Sequence, residues 1–134
     1  MVIKHPKGNI ASLGTAEAEI LQLVWDLKEA SAQQIWEALP EGRDVAPATV
    51  LTVLRRLRDK GFLKSRTLGK AHFFSPAIQP HRVISKTVSE LLKRFFGGDA
   101  VPLVMHLAET HQIDKDDVAR LQEMLATEKK KKES

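Results

Sequence analysis

One stretch limits the choice of fold more than any other: residues 45–76, VAPATVLTVLRRLRDKGFLKSRTLGKAHFFSP. At 100° per residue, Val50, Val53, Leu54 and Leu57 fall within about 100° of one another, so this helix must lay one stripe on a core. Gly61 supplies the stop, and Phe62 and Leu63 return the chain to the core. Arg66 and Lys70 then flank Thr67-Leu68-Gly69, the expected tip of a hairpin. Its return strand is His72-Phe73-Phe74-Ser75, and Pro76 closes it.

The opposite pole of the helix carries Ala48, Thr52, Arg55 and Asp59. Thr49 and Arg56 flank it on one side, Leu51 and Arg58 on the other. A charged helix face is ordinarily just a solvated face. Here, however, residues 46–75 hold seven cations (Arg55, Arg56, Arg58, Lys60, Lys64, Arg66, Lys70) against the single acid Asp59. Residues 99–128 hold seven acids against two bases. With a net charge of only +4, positive charge is focused rather than spread, as in a protein that docks one face on a polyanion. Ala48, Leu51, Thr52 and Arg55 are therefore the expected readers of base edges in a major groove, with Leu51 suited to a thymine methyl. Thr49 and Arg56, with Arg66 and Lys70 on the hairpin, are the expected phosphate contacts.

The elements before this stretch give it a context. Thr15 is the expected N-cap of a first helix reaching about Lys28, with Glu17 and Glu19 at its positive end and Ile20, Leu21, Leu23, Val24 and Leu27 as its core face. Ser31-Ala32-Gln33-Gln34 is a capping box opening a second helix over 32–39, with Ile35, Trp36 and Leu39 inward. Pro40-Glu41-Gly42 reads as a turn, and Pro47 suits the first turn of the third helix. A helix, a helix-turn-helix and a basic hairpin form the winged helix-turn-helix order.

Downstream, Val83, Ile84, Val88, Leu91, Leu92 and Phe95 make one stripe of a fourth helix starting at Pro80 or His81, and Gly97-Gly98 breaks it. Asp99 caps a fifth helix to about Glu109, bearing Leu103, Val104 and Leu107. Asp114 caps a sixth, with Val118, Leu121, Met124 and Leu125. Three short helices cannot bury this much apolar surface among themselves. The expected cover is a second copy, through Val88, Leu91, Leu92, Phe95, Leu103, Leu107, Val118, Leu121 and Leu125. A symmetric dimer would present two reading helices to an inverted repeat in double-stranded DNA. The expected fold class is mainly α with a small β-hairpin wing. Its organisation is a flexible arm (1–12), a winged-helix DNA-binding domain (13–76), a helical dimerisation domain (77–128) and a basic tail (129–134) containing Lys129–Lys132.

Composition removes other classes. The chain has no cysteine, which excludes disulfides, thiolate metal sites and a Cys nucleophile. Its five histidines (His5, His72, His81, His106, His111) show no HExxH spacing, and there is no Gly-rich phosphate loop. No enzyme activity, metal or cofactor is expected. No apolar run approaches the roughly 18 residues of a membrane span and no signal core follows Lys4 and Lys7, so no membrane insertion is expected and the cytoplasm is the expected location. The rival class is a winged helix that binds proteins instead of DNA. Such modules often lose the basic residues of the third helix and wing, and here both are basic.

Leu-Gly-x-x-Glu-x-x-Ile-Leu-x-x-Val-Trp at 13–25 and Ala-x-x-Thr-Val-Leu-Thr-Val-Leu-Arg-Arg-Leu-Arg-Asp-Lys-Gly-Phe-Leu at 46–63 resemble the penicillinase-repressor family (BlaI/MecI/CopY type). The resemblance covers about 13–125 and is most specific at Thr49-Val50, Thr52, Arg56-Leu57 and Lys60-Gly61. It implies a dimeric transcriptional repressor on an inverted-repeat operator. It also implies a membrane-bound sensor metallopeptidase as partner, with the repressor cleaved in its dimerisation domain to relieve repression. The chain departs from the pattern in three places. It lacks the C-terminal cysteine cluster of copper-responsive members. His106-Leu107 stands where β-lactam-responsive members have their Asn-Phe cleavage bond. Pro47-Ala48 opens the recognition helix where relatives often have larger or hydroxylated residues.

Overall fold

A computed structural model describes residues 12–40 and 44–133. The expected arm lies outside the described residues except for Ser12, as do Glu41 and Gly42 of the expected turn. The elements run α1 (Thr15–Leu27), β1 (Ala30–Ser31), α2 (Ala32–Ala38), α3 (Pro47–Asp59), β2 (Leu63–Leu68), β3 (Ala71–Pro76), α4 (Pro80–Phe95), α5 (Ala100–Glu109) and α6 (Lys115–Glu133). This is a winged helix-turn-helix arrangement followed by further helices.

α1 begins one residue earlier than capping rules suggest. Gly14 is its N-cap, and the Gly14 N–H donates to Glu17 Oε1 at 3.1 Å. A side chain in the first turn thus satisfies a donor that a Thr15 cap would have left open. α2 has the capping box as expected. Gln34 N–H donates to Ser31 Oγ at 3.2 Å and Ser31 N–H to Gln34 Oε1 at 2.8 Å. Pro47 stands at the start of α3, where its missing N–H costs nothing.

α3 ends in a Schellman motif. Gly61 takes φ 92°, Gly61 N–H donates to Arg58 O at 3.0 Å and Phe62 N–H to Leu57 O at 3.0 Å. The turn swings Phe62 and Leu63 into the core, where both are buried.

The sheet is antiparallel in the order β1-β3-β2. β1 was not expected. Two residues carry no periodic signal, yet Ala30 pairs with Phe74 and Ser31 with Phe73 on the free side of β3. The hairpin is also tighter than expected. Leu68 pairs with Ala71, so Thr67 and Leu68 belong to β2 and the tip is Gly69-Lys70. Gly69 has φ 63°, which the first residue of a two-residue type II′ turn needs.

One core joins these elements: Ile20, Leu21 and Val24 of α1, Ala30, Ile35 of α2, Val50, Val53, Leu54 and Leu57 of α3, Phe62, Leu63 and Phe74 of the wing, and Val83 of α4. Burying each of the larger aliphatic or aromatic side chains contributes about 1.5–3 kcal/mol before conformational entropy is subtracted. Trp36 departs from the expected inward placement. It is exposed, and its indole N–H donates to Val45 O at 2.7 Å, tethering α2 to the entry of α3.

The chain divides into two units, one ending at Ser89 and one beginning at Glu90. The division falls inside α4 because Val83 is part of the first unit's core. In the second unit α5 is capped by Asp99, whose Oδ1 accepts from Val101 N–H at 3.0 Å. α6 opens on a reciprocal pair: Asp117 N–H donates to Asp114 Oδ1 at 2.9 Å and Asp114 N–H to Asp117 Oδ2 at 3.0 Å. The backbone of 129–133 continues α6. Leu103, Leu107 and Ile113 are half-buried, whereas Val88, Leu91, Phe95, Val104, Val118, Leu121 and Leu125 are exposed.

Candidate nucleic-acid interface

Because Val50, Val53, Leu54 and Leu57 are buried, the geometry of α3 turns Ala48, Thr49, Thr52, Arg55 and Arg56 to solvent, and all five are exposed. Thr52 Oγ1 donates to Ala48 O at 3.1 Å, which leaves its oxygen lone pairs facing outward with the helix surface. Leu51 differs from the expected outward placement. At 100° from Val50 it lies at the border of the face, half-buried and packed against the core. Its burial needs no groove partner.

The far end of α3 is fixed by a contact between distant parts of the sequence. Lys60, the C-cap of α3, donates from Nζ to Glu17 Oε2 at 2.9 Å. Burial pushes the Glu17 carboxyl up, but the Gly14 N–H, Lys60 and the nearby Arg56 charge together outweigh it and hold the carboxyl below the usual glutamate value. One carboxylate thus caps α1 and anchors α3, which accounts for Leu-Gly-x-x-Glu and Lys-Gly occurring in the same chain.

On the wing, strand alternation puts Lys64, Arg66 and Leu68 of β2 on one face with Ala71, Phe73 and Ser75 of β3. Lys64 and Lys70 are exposed, and among the described residues neither has an ion-pair partner. Lys64 was not among the expected contacts, although its two-residue spacing from Arg66 was the available signal. Arg66, expected on phosphate, is engaged within the protein. Nε donates to Glu29 Oε2 and Nη2 to Glu29 Oε1, each at 2.7 Å. Nothing in the sequence couples positions 29 and 66. The remaining cation of α3, Arg58, lies 3.4 Å from Asp59. The arrangement is therefore an exposed helix face with two Arg and two Thr, beside a hairpin that holds two open lysines.

The other expected residues lie elsewhere. His106 is exposed and Leu107 half-buried within α5, and no side chain of the second unit joins the face just described. Among the described residues there is no group of His, Cys, Asp and Glu arranged to hold a metal, and no helix is long and apolar enough to cross a membrane.

Comparison with known proteins gives the face its context. The family described as Penicillinase repressor matches residues 13–127. The penicillinase repressor of Staphylococcus aureus is 25% identical over 113 residues, covering 84% of this chain and 90% of that protein. The methicillin resistance regulatory protein MecI of Staphylococcus aureus is 26% identical over 113 residues, covering 84% and 92%. A mutant MarR from E. coli complexed with operator DNA is similar in fold, with a TM-score of 0.51 at 14% identity over 87% of this chain and 76% of that one. The chain belongs to the penicillinase repressor family, a family of transcriptional repressors and not of enzymes.

Proposed function

We propose that this protein is a DNA-binding transcriptional repressor acting as a homodimer on an inverted-repeat operator. The observation that carries the reading is the solvent-facing side of α3, where Ala48, Thr49, Thr52, Arg55 and Arg56 stand exposed beside a wing with two open lysines. Ala48, Thr52 and Arg55 read base edges, with Leu51 contributing at most its exposed edge. Thr49, Arg56, Lys64 and Lys70 hold phosphates. Membership of a repressor family supports the reading.

The dimer follows from the apolar surface of the second unit. Val88, Leu91, Phe95, Val118, Leu121 and Leu125 stay exposed in the single chain, and a second copy is the cover that also supplies a second reading helix. Relief of repression by a sensor metallopeptidase, with cleavage at His106-Leu107, fits a cytoplasmic regulator. That bond lies inside α5, so cleavage requires α5 to unwind locally, because a protease binds its substrate extended. The test of the reading is a mobility shift of the full chain against the DNA upstream of its own reading frame at two salt concentrations. Sequence-selective binding that weakens with salt is expected. A folded dimer that binds no DNA at low salt would point to a protein-interaction module instead.

A further inference from the structure

Arg66 does something in this fold that its position on a basic wing does not suggest. It stands in the middle of β2, opposite Phe73 of β3, which is itself opposite Ser31 of β1. Its guanidinium lies 5.7 Å from the Phe73 ring centroid. It then reaches Glu29, directly before β1, with two parallel hydrogen bonds of 2.7 Å. Only the planar Arg fork matches a carboxylate in this way. The side chain therefore crosses the middle strand and ties the outer strand of the sheet to the α1–β1 corner.

The sheet needs such a tie. β2 is an edge strand, and β3 is joined to β1 through only two paired residues. Backbone hydrogen bonds alone leave the hairpin a weak hold on the rest of the unit. Glu29 is suited to the task, since the Arg66 hydrogen bonds, aided by the charges of Arg66 and Lys64, keep its carboxyl ionised below the usual glutamate value despite some desolvation. The wing's cations thus divide into two kinds. Lys64 and Lys70 face solvent, while Arg66 is committed to a carboxylate and a ring.

We propose that Arg66 is a positioning residue. With Glu29 and Phe73 it forms a strut that sets the wing against α3, so that Lys64 and Lys70 meet the DNA backbone, and Arg66 itself contacts no phosphate. This rests on the DNA-binding reading above, so the test has one arm without DNA. In the full chain alone, amide hydrogen exchange is compared for wild type, Arg66→Ala and Glu29→Ala. Faster exchange at Leu68 and Ala71 is expected in both variants, with Val53 and Leu54 of α3 unchanged. Unchanged exchange at the tip would overturn the strut.

With a duplex from the chain's own upstream region, both variants should lose affinity by a similar factor, roughly two- to fivefold for an exposed pair. The double variant should be no worse than either single one, the salt slope should match wild type, and the exchanged pair Glu29→Arg with Arg66→Glu should recover part of the loss. The opposite pattern, a salt slope about 0.9 shallower in Arg66→Ala with tighter binding in Glu29→Ala, would show that Arg66 grips phosphate and Glu29 competes for it. That pattern would also overturn the proposal. A wild-type chain that binds no duplex would sink the DNA reading, while the exchange data would still decide the strut.

Discussion

Glu17 is the residue whose single side chain fixes most of the local geometry. It accepts from Gly14 N–H at the start of α1 and from Lys60 at the end of α3, and it is nearly buried while doing so. Glu17→Gln keeps the shape but loses the charge, and should cost about 1–3 kcal/mol at neutral pH in urea unfolding. The pH dependence has a definite sign. The folded carboxyl titrates below the ordinary glutamate value of about 4.3, so its contribution is complete above that value and is lost as pH falls through the lower, folded one. Glu17→Gln should therefore destabilise less at pH 3 than at pH 7, and an equal loss at both would contradict the ion pair. Sequence alone made Glu17 legible as a first-turn acid and as part of a family motif. Its partner was not legible, because a contact across 43 residues leaves no local trace.

The elements were legible where a period or a punctuating residue was strong. The stripe Val50, Val53, Leu54, Leu57 is buried as the helical angle requires, and Gly61 and the Ser31–Gln34 capping box act as their chemistry dictates. Legibility failed where two short-range rules competed. A basic loop centred on Thr67-Leu68-Gly69 satisfied the charge pattern, but strand pairing up to Leu68 left only Gly69 and Lys70 for the turn. Trp36 and Leu51 fell on the borders of their faces, where a polar handle or a few degrees decides burial. The turn itself gives a prediction. A Cβ at Gly69 would meet nothing within 4 Å, so the penalty of Gly69→Ala is purely conformational, about 1 kcal/mol for a left-handed φ. Gly69→Asn should cost less, since Asn tolerates that region. Thermal melting of the two variants checks the order, and equal melting points would deny the turn its assigned backbone.

For the molecule as a whole, charge asymmetry and leftover apolar surface were visible in the sequence, but what covers that surface was not, because a single chain does not encode its neighbour. With Phe95 72% exposed and Leu125 71% exposed, the protein should sediment as a dimer at micromolar concentration. Phe95→Asp with Leu121→Asp should give a folded monomer with weakened hold on an inverted repeat, and a wild-type monomer at concentrations that saturate the operator would contradict the dimer. Within each copy, the outward face of α3 chooses the DNA sequence while the wing supplies affinity. The most direct measurement of that division is a salt series of fluorescence-anisotropy titrations of wild type, Arg55→Ala and Lys70→Ala against the upstream duplex and a scrambled one. Arg55→Ala should lose about 1–3 kcal/mol of discrimination between the duplexes. Lys70→Ala should weaken both duplexes alike and lower the salt slope by about 0.9 for each phosphate left unneutralised. If the two variants behave identically, the division of labour between helix and wing is wrong.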